Sequence, residues 1–315
     1  MKILVTGGLG YLGRVLMPLA AEAGHSVAVA DMGLYEGCRN AEAVDIRGIE
    51  SLPDDAELVV HLAAIVGEPA CKAFPRLARS VNFDATINML KLCERMKIPM
   101  IFASTCSVYG ACDQVIFENH RKNPLGIYAR DRLEAERHVV QTVGVALRFG
   151  TLFGWSPRMR FDLVINKWAA EAHRGMPICV DGGQQWRPFC HVRDAARSIL
   201  TMIEAVNDGN LSLIQGEAFN VSTQNVTIVE LANVMRQETG CEVEIAHNVS
   251  DMRDYRVSTN KIELAGWEPK MTVRDGIREI LAELKNQPQI DPADPIYSNL
   301  EYLKARQKRV PKAML

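Results

Sequence analysis

Near its start the chain reads Lys2-Ile3-Leu4-Val5-Thr6-Gly7-Gly8-Leu9-Gly10-Tyr11-Leu12-Gly13, followed by Arg14-Val15-Leu16-Met17. The apolar run Ile3 to Val5 is typical of a parallel strand that is covered on both faces. Apolar residues then recur at helical spacing from Val15 onward. This stretch therefore predicts a buried strand, a glycine turn and a helix, and the rest of the chain is interpreted around it.

The three glycines of the turn have distinct expected roles. Gly7 permits the tight turn, Gly10 lets a pyrophosphate approach the backbone, and Gly13 lets the helix pack closely on the strand. Tyr11 and Leu12 lie between them, at the helix N-terminus that would face the anion. The spacing is Gly-x-x-Gly-x-x-Gly, so an ordinary glycine-rich turn is the alternative, but the flanking strand and helix favour a dinucleotide site.

Length and composition describe an ordinary globular protein. The 315 residues are 48% hydrophobic with a formal charge of -2, which is enough for one large or two modest domains. Dispersed positive charge argues against a nucleic-acid partner, and no apolar run approaches the roughly 20 residues of a membrane span. Eight cysteines without metal-type spacing predict free thiols in a reducing compartment and no metal. The absence of a membrane-spanning run predicts no membrane partner and a cytoplasmic location.

Two further strands are predicted to border the cofactor. Ser26–Asp31 is a buried strand that stops on a carboxylate about 20 residues past the glycines, where Asp31 would bond an adenosine ribose and favour NAD over NADP. Residues 43–47 are predicted as a short third strand. The end of this strand, at the polar Asp45 and the apolar Ile46, would border the adenine.

The next strands carry the remaining candidates of the first half. The strand from Leu58 leaves through small residues, so the backbone of Leu62, Ala63 and Ala64 would lie against the cofactor. A strand from Met100 leads into the hydroxyl cluster of residues 104–110, at the end of the strand where open parallel sheets bind ligands. Strands and helices alternate throughout, which predicts an α/β fold with a doubly wound parallel sheet.

The alternation breaks after Phe153-Gly154, which predicts a second, smaller domain. The expected division is a cofactor-binding domain of residues 1–154 and 188–223, a substrate-binding domain of residues 155–187 and 224–285, and a tail of residues 286–315. Pro288, Pro292 and Pro295 prevent one continuous helix there, so we expect the tail to be extended.

Several of these motifs together resemble one family. The glycine loop, Asp31, Ser104-Thr105 ahead of Val108-Tyr109-Gly110, and Tyr128 at the head of a helix are similar to the extended short-chain dehydrogenases/reductases, specifically the nucleotide-sugar epimerases and dehydratases. The resemblance covers about residues 1–285. It implies a Rossmann domain, a smaller mixed α/β domain, NAD as cofactor and a nucleotide-diphosphate sugar as substrate.

The resemblance also implies catalytic roles. Tyr128 would take the proton from a sugar hydroxyl, and Thr105 would bond that hydroxyl and relay its proton. Family members have a lysine four residues after the tyrosine, which holds the cofactor ribose, whereas this chain has Arg132. Arginine keeps the positive charge that favours a phenolate but not the shape of the ammonium group.

The residues after Thr105 bear on the choice of reaction. The 4,6-dehydratases of the family have Asp-Glu there, and its 3,5-epimerising members use a cysteine acid at the position of Ser107. This chain has Cys106-Ser107, which disfavours dehydration and leaves a 3,5-epimerase or reductase as an alternative. The favoured reaction is oxidation at C4 of the sugar, either completed as a 4-epimerisation or ending at a 4-keto sugar, with Ser107 near the substrate.

Longer motifs resemble a narrower subgroup. Gly67-Glu68-Pro69-Ala70-Cys71-Lys72 and residues 153–163 are similar to bacterial surface-polysaccharide enzymes, including GDP-heptose 4-dehydrogenases. By this resemblance Arg158, Arg160 and Asn166 would face the nucleotide-sugar, although a basic loop that caps the following helix is the alternative. Residues 181–194 and Arg253 resemble the wider family's two arginine sites for the nucleotide diphosphate, which implies that Arg187 and Arg253 bind it. A guanidinium suits this role because it can bond two oxygens at once.

Two further hypotheses concern loss of catalysis and the oligomeric state. The missing lysine motivates a second hypothesis, a binding protein of the same fold that has lost catalysis and senses NAD(H) or a sugar nucleotide. Family members commonly dimerise through two long helices, here predicted over residues 75–97 and 127–141. The resemblance thus implies a homodimer.

Overall fold

The computed structural model describes residues 1–33, 43–246 and 253–307. Its strands are β1 Lys2–Thr6, β2 Ser26–Ala30, β3 Leu58–His61, β4 Met100–Thr105, β5 Ala111–Ile116, β6 Gly144–Phe149, β7 Thr151–Phe153, β8 Ile178–Asp181, β9 Trp186–His191, β10 Ala218–Val221, β11 Gln224–Thr227, β12 Val243–Ala246 and β13 Asp254–Val257. Its α-helices are α1 Gly13–Glu22, α2 Glu68–Ala73, α3 Pro75–Arg79, α4 Ala85–Met96, α5 Ile127–Val140, α6 Val164–His173, α7 Val192–Asn207, α8 Ile228–Thr239, α9 Asn260–Leu264, α10 Val273–Asn286 and α11 Asn299–Gln307.

A six-stranded parallel sheet forms the centre of the molecule, in the order β10-β6-β4-β3-β1-β2. Strands β1, β3, β4 and β6 are buried almost throughout because helices cover both faces of the sheet. The doubly wound α/β fold predicted from the sequence is confirmed. The direction of winding changes between β1 and β3, and a ligand crevice opens at such a switch point.

The strand predicted over residues 43–47 is wrong. Residues 46–48 instead form a 3₁₀ turn that Asp45 caps, its Oδ1 accepting the N–H of Arg47 at 3.0 Å. The Asp45 carboxylate also bonds the Arg47 guanidinium. An aspartate that bonds the backbone two residues on offers the chain a local alternative to a sheet ladder.

The helix predicted over residues 75–97 is present, but a π-helical segment, Ser80–Asp84, separates α3 from α4. This segment buries Asn82, whose side chain accepts the N–H of Ile65 at 2.8 Å and donates to the Ile65 carbonyl at 3.0 Å. Segments of this kind are frequent near functional sites. Here the segment fixes the loop that follows β3.

Smaller sheets make up the second part of the fold. Strands β7, β9 and β11 form one sheet, and β8 pairs with β12. Strand β5, which follows the turn after β4, pairs in parallel with β13. This pairing brings Arg253, directly before β13, toward the end of β4.

The prediction of an extended tail over residues 286–315 is wrong for part of that range. Residues 295–297 form a 3₁₀ turn and residues 299–307 form α11, while residues 308–315 lie outside the described residues. The prolines at 288, 292 and 295 precede α11 and so do not interrupt it. Among residues 1–33, 43–246 and 253–307, no helix is long and apolar enough to cross a membrane.

Candidate functional site

A cavity of about 820 Å³ lies at the carboxyl end of the parallel sheet, at the switch between β1 and β3. This volume is in the range of cofactor and ligand sites. The predicted site residues that line it are Gly7, Gly10, Tyr11, Leu12, Asp31, Asp45, Ile46, Leu62, Ala63, Ala64, Thr105, Ser107, Tyr128, Arg132, Arg158, Arg160 and Arg253. Asn166 and Arg187 are not among the lining residues.

The glycine loop comes close to the backbone after β3. Gly7 has a φ of +70°, and a Cβ atom on it would lie 2.6 Å from the backbone nitrogen of Ala63. A Cβ atom on Gly13 would overlap the carbonyl of Gly8. Neither position tolerates a side chain, so the loop forms a narrow backbone cradle at the N-terminus of α1.

Asp31 lies beside this cradle at the end of β2. Its two carboxylate oxygens accept the N–H groups of Leu9 at 3.0 Å and of Gly33 at 2.9 Å. Burial raises the pKa of this carboxyl, while the two hydrogen bonds and the charges of Arg14 and Arg158 act in the opposite direction. Each oxygen keeps a further lone pair, so the group can still accept a hydroxyl.

The N-terminus of α5 carries Tyr128 and is capped by Glu68. The Glu68 carboxylate accepts the N–H of Ile127 at 3.0 Å and of Tyr128 at 3.1 Å. A carboxylate at this position satisfies two of the free N–H groups of the helix and complements its dipole. Glu68 comes from α2, so the sequence pattern around Tyr128 gives no sign of this cap.

Replacing Glu68 with alanine should lower the free energy of unfolding by about 1–2 kcal/mol, because the cap of α5 is lost. Urea denaturation of both proteins measures the difference. The matched control is Lys72→Ala, since Lys72 is 3.9 Å from Glu68 but 69% exposed. That variant should stay within about 0.5 kcal/mol of the parent, and equal losses for both changes would contradict the capping role.

Arg132 lies one turn after Tyr128 on the same face of α5 and is 1% exposed. Its guanidinium carbon lies 4.1 Å from the centroid of the Phe102 ring, and its Nη2 donates to the Ala103 carbonyl. Within the described part of the chain, the buried Nε and Nη1 atoms find no hydrogen-bond partner. Buried donors of this kind carry a free-energy cost unless a ligand or water meets them.

Burial raises the pKa of the Tyr128 phenol, and the positive charge of Arg132 opposes that rise. The pKa of Arg132 is itself lowered by burial. Since an arginine stays protonated far above neutral pH, Arg132 supplies the nearby positive charge that a phenolate needs. Arg132 thus acts on the pKa of Tyr128 in the direction that a lysine at this position would.

Thr105, at the end of β4, and Ser107, in the turn that follows, line the same cavity as Tyr128. The Thr105 hydroxyl accepts the Ser107 N–H at 3.1 Å and so caps the 3₁₀ turn of residues 106–109. The Ser107 hydroxyl lies 3.4 Å from the hydroxyl of Tyr255. Tyr255 is buried, which raises its pKa, and Arg253 and Arg187 both oppose that rise.

The predicted substrate residues are therefore divided. Arg253 lines the cavity, whereas the buried Arg187 lies behind it and donates to the Trp186 carbonyl at 2.9 Å. The hydroxyl of Tyr255, on β13, lies 3.4 Å from that of Ser107, and the charges of Arg253 and Arg187 act on its pKa. Tyr255 was not predicted as a site residue from the sequence. Its signal is weak, because only the pairing of β13 with β5 brings it there.

Asn166 has a role inside the fold. Its Oδ1 accepts the Gly154 N–H at 3.0 Å, and its Nδ2 donates to the Arg160 carbonyl at 2.9 Å and lies 3.1 Å from the Tyr11 hydroxyl. Tyr11 in turn donates to the Gly154 carbonyl at 2.5 Å. The prediction that Asn166 faces the nucleotide-sugar is not supported, because its amide connects the glycine loop to residues 154–160.

The two other arginines of this region are anchored by different partners. The Arg160 guanidinium forms a two-point ion pair with Asp162, with both distances 2.9 Å. Arg158 donates to Asn299 at 2.7 Å and affects the pKa of Asp31. Arg158 lines the same cavity as Asp31, and its positive charge opposes the rise in the pKa of that carboxyl.

A buried polar network behind the cavity was not identified from the sequence. Arg148 on β6 forms a two-point ion pair with Glu136 on α5, at 2.6 and 3.0 Å, and donates to Tyr109 at 2.6 Å. Glu136 also accepts the Ser104 hydroxyl, and Tyr109 donates to Asn220 at 2.7 Å. This network joins α5 to the sheet.

Two observations test whether an NAD molecule fits these residues. The glycine cradle leaves backbone N–H groups at a helix N-terminus, as a pyrophosphate requires, and Asp31 offers acceptors for ribose hydroxyls. Arg132 also lines the cavity, and it supplies a positive charge beside Tyr128, as the proposed hydride chemistry requires. The residues fit the cofactor.

Comparison with known proteins gives one family match and several related sequences. Residues 3–222 match the model of the NAD dependent epimerase/dehydratase family. UDP-glucuronic acid decarboxylase 6 of Arabidopsis thaliana is 28% identical over 308 residues, which cover 88% of this chain and 87% of that protein. UDP-glucuronic acid decarboxylase 1 of Xenopus tropicalis is 26% identical over 316 residues, which cover 89% of this chain and 71% of that protein.

Solved structures of two sugar-nucleotide epimerases have folds similar to that of this chain. The UDP-glucuronic acid 4-epimerase of Bacillus cereus, in complex with UDP-glucuronic acid and NAD, superposes with a TM-score of 0.77 at 24% identity, covering 91% of this chain and 99% of that one. The UDP-glucose 4-epimerase of Thermus thermophilus in complex with NAD has a TM-score of 0.75 at 22% identity, with coverages of 90% and 99%.

Proposed function

The chain belongs to the NAD-dependent epimerase/dehydratase family, and from this premise we propose that it oxidises C4 of a nucleotide-diphosphate sugar. The observation that carries the proposal is that Tyr128, Thr105 and Arg132 line the same cavity as the glycine cradle. The product is a 4-keto sugar, which is either released or reduced on its other face to give the 4-epimer.

The residues divide the reaction between them. The Tyr128 phenolate takes the proton of the C4 hydroxyl, with Thr105 bonding the same oxygen, while the C4–H bond releases its electron pair as hydride. The chemistry that NAD supplies when bound is acceptance of that hydride and its return. Arg132 holds the phenolate form of Tyr128, and Arg253 binds the diphosphate.

The named relatives are compatible with this first step. A UDP-glucuronic acid 4-epimerase and a UDP-glucuronic acid decarboxylase both begin from a sugar whose C4 carries a hydroxyl. Oxidation there makes a hexuronate a β-keto acid, which loses carbon dioxide without a further acid group. Ser107 stands where the dehydratases of the family have an acid, which favours a reaction that needs only oxidation at C4.

A panel of GDP-, UDP- and dTDP-sugars tests the proposal. We expect at least one to give reduced nicotinamide absorbance, a 4-keto sugar or a 4-epimer, with UDP-glucuronic acid included so that release of carbon dioxide is also detected. If no sugar is altered and Tyr128 has no effect on any of them, the enzyme proposal is wrong. The binding protein of the same fold then remains, and calorimetry with NADH and each nucleotide tests it.

The pH dependence of oxidation should report on Arg132. A cation lowers the pKa of a neighbouring acid, so its removal in Arg132→Met should raise the pKa of Tyr128 further. The oxidation rate should then rise at higher pH and fall about tenfold at neutral pH. Rates measured between pH 6 and 10 give the profile.

Arg132→Lys is the matched control for that profile, because it keeps the charge. We expect it to stay active with a profile within about half a unit of the parent, even though the stacking on Phe102 is lost. If Met and Lys variants shift alike, the shape of the guanidinium and not its charge governs Tyr128.

We also propose that the chain forms a homodimer through α3, α4 and α5. Arg79 of α3 lies 2.6 Å from Glu134 of α5, and the ring of Phe83, in the π-helical segment between α3 and α4, meets that of His138 edge to face at 5.9 Å. Sedimentation equilibrium at micromolar concentration measures the mass. A monomer would overturn this part of the proposal.

A further inference from the structure

Residues 295–307, here called the C-terminal strap, contribute Asn299 and Leu303 to the lining of the cavity. At one side the strap is held by Phe161, whose N–H donates to the Tyr297 carbonyl at 3.0 Å. The two aromatic rings also meet edge to face, with their centroids 5.3 Å apart. The strap thus begins on the loop that carries Arg158 and Arg160.

Asn299, the first residue of α11, connects that loop to the opposite wall. Its Oδ1 accepts Nη2 of Arg158 at 2.7 Å, and its Nδ2 donates to the Val66 carbonyl at 3.2 Å. Its backbone N–H donates to Asp162 at 3.3 Å. Asn299 is 7% exposed, so these bonds are largely shielded from water and span the two sides of the cavity.

Leu303 lies one turn further along α11 and is 2% exposed. It packs in the same apolar cluster as Ile46, Leu77 and Val81. Leu303 and Asn299 also both line the cavity. The inner face of the strap is therefore a wall of the cavity, and that wall is next to Ile46, the residue predicted to border the adenine.

Arg158 and Asp31 line the same cavity as the strap. The positive charge of Arg158, which Asn299 holds, opposes the rise in the pKa of Asp31, the carboxylate predicted to bind the adenosine ribose. The strap thus lines the cavity beside Ile46, where the adenine is predicted to bind, and Tyr128 packs against the same apolar cluster.

We propose that the C-terminal strap belongs to the cofactor site and that Asn299 and Leu303 retain NAD by holding the adenosine end closed. The inference rests on the cofactor of the proposed function but not on its sugar chemistry. Because the strap touches both walls, the dinucleotide leaves only after the strap undocks. The purified chain should then carry NAD and exchange it slowly.

The exchange of bound NAD against an excess of isotopically labelled NAD, followed by rapid desalting, measures retention in the full chain. Asn299→Ala and Leu303→Ala should each exchange about tenfold to hundredfold faster than the parent, since each loses buried contacts that hold the strap. Leu303→Met conserves apolar volume and should restore slow exchange. Thermal unfolding without nucleotide shows whether each variant is folded.

Lys304→Ala and Glu301→Ala are the matched controls, because both residues are exposed on the outer face of α11. They should exchange NAD at the parental rate. Equal exchange by all variants, acceleration by the controls as well, or a parent chain that binds no NAD would each overturn the proposal. A chain that retains NAD through the strap but alters no sugar would contradict the proposed function and leave the strap in place.

Discussion

Replacing Tyr128 with phenylalanine is expected to lower the rate of sugar oxidation by about 10²- to 10⁴-fold, the range in which a positioned general base contributes. Phenylalanine keeps the ring and its packing against the apolar cluster that includes Leu77 and Val81, but it has no oxygen to accept the C4 proton. Turnover is measured with the sugar that is most active in the panel, from product formation in single-turnover and steady-state experiments. The Michaelis constant should change far less than the rate.

The cofactor provides the internal control for this experiment. Tyr128→Phe should still bind NAD and unfold at the same urea concentration as the parent, because the glycine cradle and Asp31 are unchanged. A variant that loses NAD together with activity would show that Tyr128 is needed for the site to form. An unchanged rate would remove Tyr128 from the mechanism.

The largest effect on stability is expected from Glu136→Ala. The ion pair of Glu136 with Arg148 is buried, with 3% and 5% of the two side chains exposed. Removing only the carboxylate leaves a buried guanidinium uncompensated, which costs about 3–5 kcal/mol in the free energy of unfolding. The Ser104 hydroxyl loses its acceptor as well. Urea denaturation at neutral pH measures the loss.

Two further variants test the physical cause. Glu134→Ala removes a carboxylate from the same helix, but this pair with Arg79 is exposed, at 47% and 39%, so the loss should stay below about 1 kcal/mol. The double variant Glu136→Leu with Arg148→Met removes both charges and should recover much of the stability. If Glu134 and Glu136 variants lose the same amount, burial of the pair is not the reason for its contribution.

The sequence predicted those features that depend on neighbouring residues. The glycine loop, Asp31 and the helix that begins near Tyr128 follow from short patterns of apolar and small residues, and the structure gathers them at one cavity. The ends of parallel strands meet at one edge of a sheet, which explains why residues as distant as Gly7 and Thr105 were placed together from sequence alone.

The features that were missed or mistaken depend on partners in other elements of the fold. Glu68 caps α5 from α2, and Glu136 meets Arg148 across the helix and sheet. Neither pair has a periodic signal. Asn166 resembles a substrate residue because it is polar and follows a basic loop, yet its amide is satisfied within the fold.

The order of the strands in the central sheet has a consequence for synthesis of the protein. Strand β6 pairs with β4 on one side, but its other neighbour is β10, from residues 218–221. While the ribosome makes the residues between them, β6 is an uncovered and apolar sheet edge, and such edges can pair with other chains. We infer that the nascent chain is most prone to aggregation in this interval, until Ala218–Val221 emerges and covers β6.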